Sequence, residues 1–245
     1  MDYNARYFQR DMRTGTPFYV DGEDVYDRYN ADLIEFSVSQ GKLKSDYWVA
    51  AGKSSFEQFG VEIEPKEAEA SFYVGGPSAE EAQINVSGLQ NALSRCVLIP
   101  DDTRFEYPAV LTSFSCKSTG VEPYYLVTAS FAVVRRLPLR EVIFHSRGAL
   151  SGSFFNPGNT ESGLRLEITS GEDLGSAYVA GITIHNLEAN VPFLIDGIAG
   201  TVTSGGINRF LDTNLISFPK ASPGENTITI YRDVQVKASF YPVFL

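Results

Sequence analysis

Between Tyr124 and Arg136 the chain reads YYLVTASFAVVRR. Leu126, Thr128 and Ser130 alternate with Val127, Ala129, Phe131 and Val133, the period of a strand with one face suited to a core. A long strand with one packed face commits the surrounding chain to a sheet. Leu33 to Val38, Phe72 to Val74 and Val110 to Phe114 are further strand signals, rich in Val, Phe, Tyr and Thr. With 17 Phe and 13 Tyr against two Met, the composition suits sheets and interfaces better than helical bundles.

One helix is predicted. In PSAEEAQINVSGLQNALSRCV, from Pro77 to Val97, Ser78 and Glu81 form a capping-box pair and acidic residues fill the first turn. Ala82, Val86, Leu89, Leu93 and Val97 recur at helical spacing, as for a helix laid on a sheet. Gly88 weakens it by roughly 1 kcal/mol relative to Ala. From Leu137 to Gly163 the composition shifts to Gly, Ser, Asn and Pro. This reads as a linker, open to proteolysis, between an N-terminal β domain over residues 1–145 and a C-terminal β-sandwich over 146–245.

The second part is all β. Leu164, Leu166 and Ile168 alternate with Arg165, Glu167 and Thr169; Val179 to Ile184 follows; Asp196-Gly197 marks a hairpin turn. In FPKASPGENTITI, Pro223 presets φ, Gly224 tolerates positive φ and Asn226 can bond its own backbone. A turn therefore leads into a strand with Ile228 and Ile230 on one face. About six short strands are expected.

The formal charge of −10 argues against a nucleic-acid-binding surface. Neither the first 150 residues (15 basic, 21 acidic) nor the remainder (5 and 9) is basic. No apolar run is long enough to span a bilayer, and MDYNARYFQRDMR lacks a signal-peptide core, so no membrane association or export signal is predicted. His145 and His185, the two histidines, lie far apart in sequence. None of the common nucleophile, zinc or phosphate motifs occurs, so no enzyme activity, cofactor or metal is expected. The four carboxylates of DGEDVYD, Asp21 to Asp27, lack the ligand order of an EF-hand loop and read as a solvated turn. EIEPKEAEA, Glu62 to Ala70, reads as an exposed strand or loop. Cys96 and Cys116 read as two buried thiols, and the Asn85-Val86-Ser87 sequon falls inside the predicted helix. A sugar-binding sandwich is the rival reading, with His185 and Asn186 as polar contacts. The only Trp, Trp48, lies in the first half.

The order NPGNTESGLRLEIT (Asn156 to Thr169), PFLIDG (Pro192 to Gly197) and FPKASPGENTITI resembles the C-terminal domain of siphophage distal tail proteins. The stretch from Arg104 to Arg136 is similar to the hairpin and long strand of that family's ring-forming domain, and it follows a helix as it does there. The resemblance is to the short form, without an inserted carbohydrate-binding module. It implies a mainly β fold: an N-terminal ring-forming β-sandwich with one helix and a C-terminal galectin-like β-sandwich. It further implies a structural virion protein at the tail tip, assembled in the bacterial cytoplasm. There a homohexameric ring joins the major tail tube protein to the tail-tip hub, with tape measure and receptor-binding proteins as further partners. DNA passes through without specific binding. The alternative is a lectin-like sandwich aiding host adsorption. Tyr47, Trp48 and Phe56, in a segment too aromatic for an idle loop, are the candidate ring or partner contacts; a place in the core is the competing reading.

Overall fold

The computed structural model describes residues 15–41, 43–49, 56–101 and 103–245, with backbone alone for the strands at 43–49 and 56–63. The chain forms two compact units, Met1–Arg136 with Leu245, and Leu137–Phe244. The first contains β1 (Phe18–Val20), β2 (Glu23–Asp24), α1 (Val25–Tyr29), β3 (Ala31–Val38), β4 (Leu43–Val49), β5 (Phe56–Ile63), β6 (Lys66–Val74), α2 (Ala79–Leu93), β7 (Arg95–Pro100), β8 (Tyr107–Ser118), β9 (Tyr125–Val133) and β10 (Arg135–Arg136). The second contains β11 (Arg140–His145), β12 (Ala149–Asn156), β13 (Ser162–Thr169), β14 (Leu174–Val179), β15 (Ile182–Leu187), β16 (Phe193–Asp196), β17 (Thr201–Ser204), β18 (Ile207–Asn208), a single 3-10 turn at Phe210–Asp212, β19 (Lys220–Ala221), β20 (Gly224–Tyr231), β21 (Gln235–Phe240) and β22 (Val243–Phe244).

In the first unit an antiparallel sheet runs β2-β1-β7-β8-β9-β6-β3, while β4 and β5 make a separate hairpin. The alternation read in β9 is realised: Val127, Ala129, Phe131 and Val133 are buried. They meet Phe18, Phe72, Leu89 and Leu93 in one core. Phe18 lies 5.2 Å from Phe36 and 5.6 Å from Phe72 between ring centroids, and Phe36 lies 5.4 Å from Tyr107. This tilted aromatic chain links β1, β3, β6 and β8, with packing worth more than its buried area alone. The stretch Glu62 to Ala70 proves more central than expected. Within it β6 sits between β9 and β3, with Lys66, Ala68 and Ala70 buried and Glu67 and Glu69 outward. Burial, and then the nearby Arg135 charge, hold the Lys66 pKa below its ordinary value.

Helix α2 begins as read, with Ser78 Oγ accepting from the Glu81 N–H at 3.2 Å. It ends sooner: Ser94 Oγ donates to the Asn91 carbonyl at 2.8 Å, and Val97 is on β7 opposite Pro108 rather than on the helical stripe. The strand wins because β7 is the one link between β1 and β8, so its backbone bonds are taken on both edges. Gly88 also gains a reason. A Cβ there would lie 2.9 Å from the Tyr29 ring of α1, so glycine is what lets the two helices approach.

The second unit is a sandwich. One sheet runs β11-β21-β13-β16-β17-β18 with β19 on β13, and the other β12-β20-β14-β15. Leu164, Leu166 and Ile168 of β13, Phe193 and Ile195 of β16, and Val236, Ala238 and Phe240 of β21 face Ile228 and Ile230 of β20 and Val179 and Ile184 from β14 and β15. Phe154 and Phe240 meet with ring centroids 5.0 Å apart. The segment read as a linker is instead two strands, with β11 paired to β21 and β12 to β20 along their lengths. The unit accordingly starts at Leu137, ahead of the expected boundary. The run Val179 to Ile184 is not one strand but a hairpin. Ala180 (φ 52°) and Gly181 (φ 85°) turn the chain between β14 and β15. The Pro223 turn behaves as its residues dictate: Asn226 Oδ1 accepts from the Ser222 N–H at 2.8 Å, and its Nδ2 donates back to the Ser222 carbonyl at 2.7 Å.

Two measurements test this packing. Leu93→Ala is expected to cost about 2–5 kcal/mol, read from denaturant midpoints, because Leu93 has no exposed surface. Of the two thiols, Cys96 is buried and Cys116 exposed, against the reading of two buried thiols. Burial and then the Asp21 carboxylate push Cys96 up to about 12. A maleimide under native conditions should therefore label Cys116 and leave Cys96 unmodified until the protein unfolds.

Candidate interaction surfaces

The histidines do not converge. His145 lies on β11 and His185 on β15, strands of opposite sheets of the sandwich. Asn186 is not a free polar contact, since its Nδ2 donates to Asp212 Oδ1 at 2.9 Å. Three of the four carboxylates from Asp21 to Asp27 have structural partners: Asp24 caps α1 by accepting from the Tyr26 N–H, Asp21 Oδ1 accepts from the Val97 N–H at 2.8 Å, and Glu23 pairs with Arg28. Asn85 Nδ2 donates to the Gly75 carbonyl at 2.8 Å. Tyr47, Trp48 and Phe56 fall on the last rungs of the β4–β5 hairpin, with Tyr47 opposite Gln58, Trp48 opposite Glu57 and Val49 opposite Phe56. Their side chains lie outside the described residues.

The features sequence reasoning missed are surfaces. In the first unit, the side of the sheet turned away from the core carries a cluster of hydroxyls and carboxylates, with Tyr73 and Val110 exposed beside it. The register aligns Glu35 and Ser37 of β3 with Ser71 and Glu69 of β6, Ser71 with Thr128 of β9, and Ser130 and Thr128 of β9 with Ser113 and Ser115 of β8. Ser113 Oγ donates to Ser130 Oγ at 3.0 Å, and the Ser71 and Thr128 hydroxyls lie 3.5 Å apart. Glu35, Glu67 and Glu69 stand here against Lys117. An open groove of about 730 Å³, lined in part by Ser37, Glu67, Glu69, Thr112 and Ser130, indents this face.

In the second unit, the segment from Ile207 to Ile216 holds Ile207, Phe210, Leu211 and Ile216 in solvent. Arg209 braces it, donating to Asp212 Oδ2, to Glu188 Oε1 at 3.2 Å and to the Asn186 carbonyl at 3.0 Å. Hydrogen bonds from Asn186, then from Arg209, hold the Asp212 pKa below the usual carboxylate range. Beside this segment, Asp196 fixes the β16–β17 turn. It is buried, accepts from the Ile198 and Ala199 N–H groups at 2.9 and 3.0 Å, and pairs with Arg165 Nη2 at 2.7 Å. Burial alone would raise its pKa, but the Ala199 N–H, Arg165 and the Ile198 N–H together hold it below the ordinary value.

No protein-family model matches the chain, and no curated protein matches it. Solved structures do. The crystal structure of SPP1 Dit (gp 19.1), described as a paradigm of the hub adsorption apparatus in Gram-positive infecting phages, superposes with a TM-score of 0.73 at 13% identity, over 94% of this chain and 99% of that one. The chain has the Dit fold. Two structures of the phage P2 baseplate in its activated conformation, with Ca and with Sr, are also similar. Their TM-scores are 0.55 and 0.52 at 11% and 12% identity, over 89% and 88% of this chain and 92% of each of those. The Dit-like likeness spans both units, matching the mainly β class read from the sequence, and its low identity means that pattern rather than residue identity carries it.

The Asp196 turn gives this Dit-like chain a pH-dependent element. Because the folded pKa is depressed, the stability Asp196 contributes is complete above its unfolded value of about 3.9 and is lost as pH falls through the folded value. Asp196→Asn is expected to lower stability at pH 7 by about 1.5–3 kcal/mol, and its deficit relative to wild type should close as pH drops below about 4, measured by denaturant titration across pH.

Proposed function

We propose that this chain is a structural component of a phage tail tip, the distal adapter that forms a hexameric ring between the tail tube and the tail-tip or receptor-binding apparatus. The observation that carries the reading is the Dit fold over 94% of the chain. In this reading the protein acts by assembling rather than by catalysis, and its place is the virion tail.

The uncovered face of the β3–β6–β9–β8 sheet supplies the channel wall. DNA carries one negative charge per roughly 1.7 Å of duplex, and a basic wall would hold it by releasing counterions. A wall rich in hydroxyls, with Glu35, Glu67 and Glu69 against Lys117, offers little counterion release, so duplex slides past it. The end of the β4–β5 hairpin, carrying Tyr47, Trp48 and Phe56, serves as a ring or partner contact. The braced apolar segment around Leu211 suits attachment of a further tail protein.

Native mass spectrometry tests the ring: six copies of 26.9 kDa give a species of about 161 kDa. Imaging of assembled tails should place a six-fold ring at the end of the tube. A protein that stays monomeric and forms no such ring would overturn the assignment. The charge of the wall is tested separately. The wild-type ring should not retain duplex DNA at physiological salt, whereas a Glu67→Lys, Glu69→Lys double variant should retain it in a salt-sensitive manner.

A further inference from the structure

We infer that the segment from Ile207 to Ile216 is a self-recognition surface, through which the sandwich meets that of a second copy of this chain about a two-fold axis. Ile207 and Phe210 are exposed there, Leu211 is 97% exposed and Ile216 entirely so. The segment is fastened, not loose. Besides the Arg209 brace, Asn214 ties it to the edge of β15: its Oδ1 accepts from the Thr183 N–H at 2.7 Å, and its own N–H donates to the Thr183 carbonyl at 3.2 Å. Thr213 bridges Ile184 on the same edge. The apolar tips are thus presented in a fixed arrangement, which lowers the ordering cost of a contact.

Projections and hollows alternate on this surface. A hollow of about 520 Å³ lies beside Ile216, lined in part by Gly181, Ile182, Leu215 and Phe218, and another of about 210 Å³ lies beside Phe210, lined in part by Val202 and Thr203. One surface therefore carries both halves of a self-complementary contact, as an isologous interface requires. The exposed parts of the four side chains amount to roughly 500 Å², and an equal patch on the partner brings the total to about 1,000 Å², enough for a specific interface. A second copy supplies the equal patch by symmetry.

Charge complementarity selects that occupant. Glu188, with an exposed side chain, stands at the Arg209 end of the segment, whereas Lys220, also exposed, lines the hollow at the Ile216 end. A two-fold axis through the middle of the segment runs the two copies antiparallel and brings each Glu188 to the other copy's Lys220. A lipid surface would accept the apolar tips but makes no use of opposite charges set at opposite ends. In the tail-tip reading, a further tail protein attaching to this segment displaces the second copy; the pairing itself rests on the sandwich alone.

The pairing is read on the full-length chain by sedimentation velocity and native mass spectrometry over a wide range of concentration. It shows as a doubling of the base species: two copies of 26.9 kDa give about 54 kDa, and two rings of six about 323 kDa. A missing ring therefore counts against the ring assignment alone. Leu211→Asp and Ile216→Asp should each raise the dissociation constant of the doubling about a hundredfold or more, because a two-fold contact contains each substitution twice. Ile84→Asp, at an exposed apolar position of the other unit, should leave it unchanged. Thermal melts confirm that each variant folds. At low salt, Glu188→Lys and Lys220→Glu should each weaken self-association severalfold, whereas an equimolar mixture of the two variants should restore it, since each seam then joins opposite charges. No doubling, doubling indifferent to the Leu211 and Ile216 variants, a mixture no tighter than either variant alone, or capture by phosphatidylcholine vesicles in place of doubling would overturn the inference.

Discussion

Each of the three large sheets buries one face and leaves the other uncovered, and everything else rests on the register that keeps those faces apart. In β9 a slip of one residue would send Val127, Ala129, Phe131 and Val133 into solvent and Thr128 and Ser130 into the core. The buried faces supply the stability, since they hold Phe18, Phe72 and Phe131 in one unit and Phe193, Phe240 and Ile230 in the other. The uncovered faces are thereby released from packing constraints. Their residues can be set by what they must meet, which is why the candidate surfaces of this molecule are sheet faces and a braced loop rather than a cleft.

The uncovered faces of the β3–β6–β9–β8 and β12–β20–β14–β15 sheets differ in how their hydroxyls are used. The N-terminal face joins hydroxyls to one another, Ser113 to Ser130 and Ser71 beside Thr128, so much of its hydrogen-bonding capacity is spent internally. A surface of that kind, with carboxylates around it, has little left to offer a polyanion. On the C-terminal face Ser151, Ser153, Thr227 and Thr229 sit in rows framed by aromatic rings, and their capacity faces outward. Similar residue types thus make a face of mutually bonded hydroxyls in one unit and rows of hydroxyls framed by aromatic rings in the other.

How much of this was legible in the sequence depended on whether the signal was local. The β9 alternation, the Ser78 cap of α2 and the Asn226 turn are fixed by residues a few positions apart, and each appears in the structure as its chemistry dictates. The readings that failed depended on distant pairing. Leu137 to Gly163 looks like a linker because Gly, Ser and Asn dominate it, yet β11 and β12 borrow their order from β21 and β20, roughly 70 to 100 residues away in the chain. Val97 fits a helical stripe, but β1 and β8 claim its segment for a strand. Ala180 gave no warning of a turn, since a positive φ at alanine is rare and Gly181 alone is a weak signal.

The same limit explains why the surfaces went unseen. Tyr178 and Tyr231 are 53 positions apart by their numbers, and nothing near either suggests a platform; only the β14–β20 register puts them on one rung. Asp196 was legible as a turn residue, but its partner Arg165 comes from another strand, so the buried ion pair was not. Local chemistry therefore announces where the backbone turns and which face is buried, whereas the surface a partner meets is assembled by pairing across the sheet. For surfaces of this kind, that places nearly all of the information in register. It also accounts for the Dit fold surviving at 13% identity, because register and alternation can be kept while almost every outward side chain is exchanged.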